Sequence, residues 1–102
     1  MSDLHSPAAD SLFDAILSLK SREECYAFFE DLCTITEVQA MSQRFHVAGL
    51  LKQGLVYSEV GKESGASTAT ISRVNRCLQH GAGGYRLILE RLSDGEEKNE
   101  GA

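Results

Sequence analysis

The side chains with most scope for chemistry lie in one short segment: Ser67, Thr68, Ala69, Thr70, Ser72, Arg73 and Arg76. Hydroxyls and arginines in this pattern suit an anionic partner. Hydroxyls and the free amides of a helix N-terminus hold phosphate oxygens, and a guanidinium either neutralises a phosphate or meets guanine O6 and N7 with two hydrogen bonds. The second arrangement is worth about 1 to 3 kcal/mol of base discrimination. Small residues at the start of such a helix let it sit deep in the major groove of double-stranded DNA.

That chemistry requires a helix held clear of the body of the protein, and residues 57–78 read as helix, tight turn, helix. Ser58 is placed to cap the first helix. Gly65 supplies a left-handed turn conformation that a residue with a Cβ resists, and Ser67 caps a second helix running from about Thr68. Val60, Ile71 and Val74 fall where branched apolar residues lock the helices of a helix-turn-helix together, with Gly61 small at their approach. A plain helical hairpin with a solvated polar face would give no reason for a turn glycine, apolar locks and a basic outer face to coincide.

Other reactive types do not assemble. His5, His46 and His80 are far apart, and none pairs with a cysteine or carboxylate at a helical ligand spacing, so no metal site is expected. Cys25, Cys33 and Cys77 are an odd set without a CxxC and are expected to be small buried apolar residues. Glu23-Glu24 and Glu30-Asp31 sit at a helix start and an exposed helix end, and no basic residues interleave Phe13, Phe28, Phe29 and Phe45 as a base-stacking platform would need. The run Gly81-Ala82-Gly83-Gly84 follows a helix and lacks the lysine of a nucleotide loop. With no nucleophile, base and orienting group in reach of one another, an enzyme is not expected.

The elements around the basic segment are helical too. Apolar residues recur at three- and four-residue spacing and nowhere alternate as in a half-buried strand, so the fold class is all-α. Pro7 suits a first turn, with Leu12, Phe13, Ile16 and Leu17 on one face and an end near Leu19. Ser21 with Glu24, and Thr34 with Glu37, have the form of capping boxes opening a second helix and a long third one to about Gln53. Val38, Met41, Phe45 and Leu50-Leu51 make the third a central core helix, stopped at Gly54. A last short helix spans Tyr85 to Leu92, and the polar acidic tail, 93–102, is expected to be disordered.

With 102 residues and 11.1 kDa, the chain makes one domain, residues 1–92, small enough that a homodimer would add substantially to its stability. Net charge is −5, but residues 57–92 carry five basic and three acidic side chains, so the positive excess lies in the segment that contains the helix-turn-helix. There is no apolar run long enough for a membrane span and no basic-then-apolar leader, and unpaired cysteines suit a reducing cytoplasm.

These residues resemble the YerC/YecD branch of the Trp repressor superfamily. The resemblance covers roughly residues 10–92 and is carried by Asp31-Leu32-Cys33-Thr34-Ile35-Thr36-Glu37, Gln43-Arg44, Leu50-Leu51, Gly81 and Gly84-Tyr85. Its most specific block is Gly65-Ala66-Ser67-Thr68-Ala69-Thr70-Ile71-Ser72-Arg73-Val74-Asn75-Arg76-Cys77-Leu78. It implies an intertwined all-α homodimer in which each subunit offers a helix-turn-helix to one half-site of a pseudo-palindromic operator. It also implies a corepressor pocket, on which Arg44, Arg73 and Cys77 are the matching residues. Tryptophan fits that pocket poorly here. In an ungapped alignment Gln43 falls at one of the two pocket arginines, Val74 replaces a glycine, and Cys77 replaces a serine. The expected activity is transcriptional repression through DNA binding, with no cofactor certain and a small-molecule corepressor other than tryptophan left open. The alternative is a module that docks the helix-turn-helix on the transcription machinery.

Overall fold

The computed structural model describes the backbone of residues 3–101 and the side chains of residues 3–95. Six α-helices follow one another: α1 (Pro7–Leu17), α2 (Arg22–Leu32), α3 (Ile35–Lys52), α4 (Tyr57–Ser64), α5 (Thr68–His80) and α6 (Gly84–Gly101). Among the described residues there is no strand, and no helix is long and apolar enough to cross a membrane. The chain packs as two units that divide after Val38.

The first unit is built on local capping. Pro7 occupies the first helical position of α1, and Ser6 accepts the Ala9 amide at 3.0 Å. The helix stops at Leu17, before the expected Leu19, where the bonding tightens to three-residue steps, the Ser18 amide reaching the Ala15 carbonyl and the Leu19 amide the Ile16 carbonyl. Ser21 caps α2 by accepting the Glu24 amide at 3.1 Å, but the Glu24 carboxylate passes Ser21 and takes the Lys20 amide at 2.8 Å. Thr34 and Glu37 close the full reciprocal box, the Thr34 amide donating to Glu37 Oε1 at 2.8 Å and the Glu37 amide to Thr34 Oγ1 at 3.1 Å.

These bonds to the ionised carboxylate, first from the Thr34 amide and then from its side chain, hold the Glu37 pKa below its ordinary value. A lowered folded pKa means that the cap stabilises α3 fully above the unfolded value and is lost as pH falls through the folded one. In an NMR titration the Glu37 carboxyl should therefore reach its midpoint at lower pH than an unstructured glutamate, with the Thr34 amide shift moving in step. A midpoint at the ordinary glutamate value would contradict the cap.

Apolar side chains in this unit are not enclosed. Neither α1 nor α2 has a buried residue, and Leu17 and Ile35 are 82% and 75% exposed. Leu12, Ile16, Phe28 and Phe29 are half-buried, with the Phe28 and Phe29 rings edge to face at 5.6 Å.

The second unit holds the core. Val47, Ala48 and Leu50 of α3 pack with Val60 of α4 and Ile71 and Val74 of α5, while Leu51, Leu55, Ala66, Tyr85 and Leu89 close over them. The C-terminal end of α3 thus carries its buried positions, whereas Met41 and Phe45, expected in a central core helix, are 38% and 39% exposed. The α3 terminus is a Schellman turn, with the Gly54 amide on the Leu51 carbonyl and the Leu55 amide on the Leu50 carbonyl.

The break between α5 and α6 requires a glycine at 81, since a Cβ there would run into the Cys77 carbonyl. Beyond it α6 continues past Leu92, where the sequence pattern stops, to Gly101. Polarity removes a reason to pack but does not forbid helix, and Glu96, Glu97 and Lys98 are good helix formers. The disorder expected of 93–102 concerns mostly residues whose side chains lie outside the described ones.

Candidate nucleic-acid interface

The helix-turn-helix arises from local chemistry on both sides of the turn. α4 begins at Tyr57 after Val56, without a side-chain cap, so Ser58 sits inside the first turn rather than capping it. The helix ends at Gly65, whose φ of 72° is the left-handed conformation, and the Gly65 amide bonds the Gly61 carbonyl at 2.9 Å. Ser64, which the sequence did not single out, pins the turn: its hydroxyl donates to the Val60 carbonyl at 2.6 Å and accepts the Ala66 amide at 3.1 Å. Gly61 lies against Ala66 and Ile71, where an added methyl would meet only ordinary contacts.

Ser67 then caps α5, accepting the Thr70 amide at 3.2 Å and donating to Thr70 Oγ1 at 3.1 Å. Both hydroxyls are engaged in holding the helix start, although Ser67 remains exposed. Ile71, Val74 and Leu78 are buried at i, i+3 and i+7, making one inward stripe. At 100° per residue, Ala69, Arg73 and Arg76 lie opposite that stripe, with Thr68 and Ser72 on one flank. Thr68, Ala69, Arg73 and Arg76 are exposed, and Ser72 and Thr70 half-buried. Among the described residues neither arginine is in an ion pair or donates a side-chain hydrogen bond.

The cysteines depart from expectation. Cys25 and Cys33 are half-buried and Cys77 is exposed. Cys77 falls one turn after Arg73, off the apolar stripe, so α5 turns it to solvent. Arg73 and Cys77 therefore share a helix edge, while Arg44 is half-buried on α3. An open groove of about 620 Å³ runs between α3 and α6, lined by Phe45, His46, Gly49, Leu89 and Leu92 among others, and includes none of these three residues. Gln43, beside Arg44, is turned to the helix-turn-helix, its Nε2 donating to the Ser64 carbonyl at 3.3 Å.

Residues 8–93 match the family model described as Trp repressor protein. The chain belongs to the Trp repressor family. It is 50% identical over 96 residues to an uncharacterized protein, YerC, of Bacillus subtilis (strain 168), covering 94% of this chain and 92% of that one. Two solved structures superpose closely. One, from Staphylococcus aureus and described as a candidate Trp repressor, is 58% identical with a TM-score of 0.85, covering 88% of this chain and 90% of its own. The other, a TrpR-like protein from Eubacterium eligens ATCC 27750, is 52% identical with a TM-score of 0.86, covering 88% and 93%. Family and neighbours together make this chain a Trp repressor-like helical protein of a DNA-binding regulatory family.

Proposed function

We propose that this protein is a sequence-specific transcriptional repressor that binds duplex DNA as an intertwined homodimer, each subunit inserting α5 into the major groove of one half-site. The carrying observation is the outer face of α5. Ala69, Arg73 and Arg76 stand exposed, free of ion pairs among the described residues, and opposite the buried Ile71–Val74–Leu78 stripe. Thr68 and Ser72 flank them as hydroxyl donors, and Ser67 and Thr70 shape the helix start from which its amides face a phosphate.

The dimer reading rests on the first unit. Helices α1 and α2 have no fully buried residue, yet they carry Phe13, Leu17, Tyr26 and Leu32 exposed. An apolar face of that kind needs a cover, and a second copy supplies one with the two-fold symmetry that a pseudo-palindrome mirrors. A cytoplasmic regulator would also keep its three free thiols reduced.

Selection of bound fragments from a genomic library, with no small molecule added, tests the reading. The enriched fragments should share inverted half-sites centred about one DNA turn apart, roughly 34 Å, and should be released steeply by salt. Failure to enrich any inverted motif, with retention of transcription-machinery proteins instead, would favour the docking module. A corepressor held by Arg44, Arg73 and Cys77 would show as selection that succeeds only when a metabolite extract is present.

A further inference from the structure

Apolar packing holds the helix-turn-helix on its neighbours and fixes helix crossings to within about 15 to 20°, a margin that directional bonds can narrow. Directional contacts come from both flanks. From α3, Gln43 Nε2 donates to the Ser64 carbonyl at 3.3 Å in a partly buried contact between residues 21 apart in sequence. From α6, Arg86 Nε donates to the Leu78 carbonyl at 2.9 Å and its Nη2 to the Gln79 carbonyl at 3.2 Å. All three acceptors belong to the last turns of α4 or α5, where helix carbonyls lack an intrahelical partner. The guanidinium also answers the partial negative charge at the end of α5.

We infer that Gln43 and Arg86 are positioning residues, a pair of clamps that set the attitude of the helix-turn-helix toward DNA, Gln43 from α3 through the end of α4 and Arg86 from α6 through the end of α5. The inference rests on the DNA-binding reading of α5 and adds how that face is aimed. Neither residue lies on the outer face of α5, and each acts through a backbone carbonyl. Bidentate contacts to base edges demand close geometry, whereas attraction to phosphates tolerates a tilted helix. Loosening a clamp therefore costs operator recognition more than it costs general DNA affinity.

The test compares Gln43→Met and Arg86→Met, which keep side-chain length without donors, with Arg86→Lys, which keeps a cationic donor. Affinity is measured for a selected operator and for a random duplex, and residual dipolar couplings measured without DNA give the angle of α5 to α3 and α6. Each Met variant should lose about tenfold or more in operator affinity while random-duplex affinity stays within about twofold, and the α5 couplings should shift or average. Arg86→Lys should recover most of the operator affinity.

Unchanged α5 couplings, or equal losses on both DNAs, would overturn the clamps and leave the DNA-binding reading intact. A wild-type protein that fails to prefer operator over random duplex would overturn the DNA-binding reading itself, and with it the role assigned to the clamps, even if the couplings moved.

Discussion

Arg73→Ala and Arg76→Ala should each reduce operator affinity by about ten- to a hundredfold, the range that corresponds to losing a charge-assisted contact of roughly 1 to 3 kcal/mol. The fold should survive, because both side chains are exposed and free of ion pairs among the described residues, on the helix edge away from Ile71, Val74 and Leu78. Melting temperature and helical content are the controls. Salt dependence separates the two roles an arginine can take. A side chain that only neutralises a phosphate weakens binding alike on every sequence, and removing it lowers the slope of log affinity against log salt by about one per contact. A side chain that reads guanine leaves random-duplex affinity nearly unchanged and relaxes selection at one operator position. Ala69 lies between the two arginines on the same face, so Ala69→Glu should be at least as damaging by setting a carboxylate against the DNA. Operator affinity unaltered in both arginine variants would mean that another face meets the DNA.

The parts of this interface that were legible in the sequence are those whose cause is local. Gly65, Ser67 and the locking residues Val60, Ile71 and Val74 each act within a turn or two of chain, and each is where the pattern puts it. The same holds for Pro7, the Thr34–Glu37 box and Gly54. What escaped was set by competition or by distance. Ser58 loses the cap to a chain that enters the helix two residues earlier, with Val56 at the cap position and Tyr57 as the first helical residue, and Cys77 is exposed because it lies one turn past Arg73, off the apolar stripe. The Gln43–Ser64 and Arg86–Leu78 bonds join separate helices, and no periodicity announces a side chain aimed at another helix's terminal carbonyl. A cue did exist: a polar Gln43 precedes a helix end rich in apolar contacts, and an arginine opens α6 just after the glycines that end α5. Met41 and Phe45 show the converse, since spacing identifies an apolar position without saying whether its cover comes from the same chain.

That last ambiguity carries a second large effect. Phe13 and Leu17 stand one turn apart on α1, 51% and 82% exposed, on a helix that buries no residue of its own. Burying a side chain of this size stabilises by about 1.5 to 3 kcal/mol relative to leaving it in water, and two-fold symmetry counts every residue twice. Placing glutamates at both positions removes that gain and adds the cost of burying unpaired charge, a loss of several kcal/mol where every ~1.4 kcal/mol weakens association tenfold. The wild type should sediment as a dimer and the double variant Phe13→Glu/Leu17→Glu as a monomer at the same concentration, and only the wild type's melting point should rise with protein concentration. Operator affinity should fall by more than a hundredfold, because a lone subunit contacts one half-site and forfeits the effective concentration that linkage gives the second. Asp14→Lys, a charge change at an exposed position of the same helix, should leave all three quantities near the wild type. A double variant that stays dimeric and binds operator normally would require a different cover for α1, and the two helices on which Phe13 and Tyr26 lie would then have to find it in another protein.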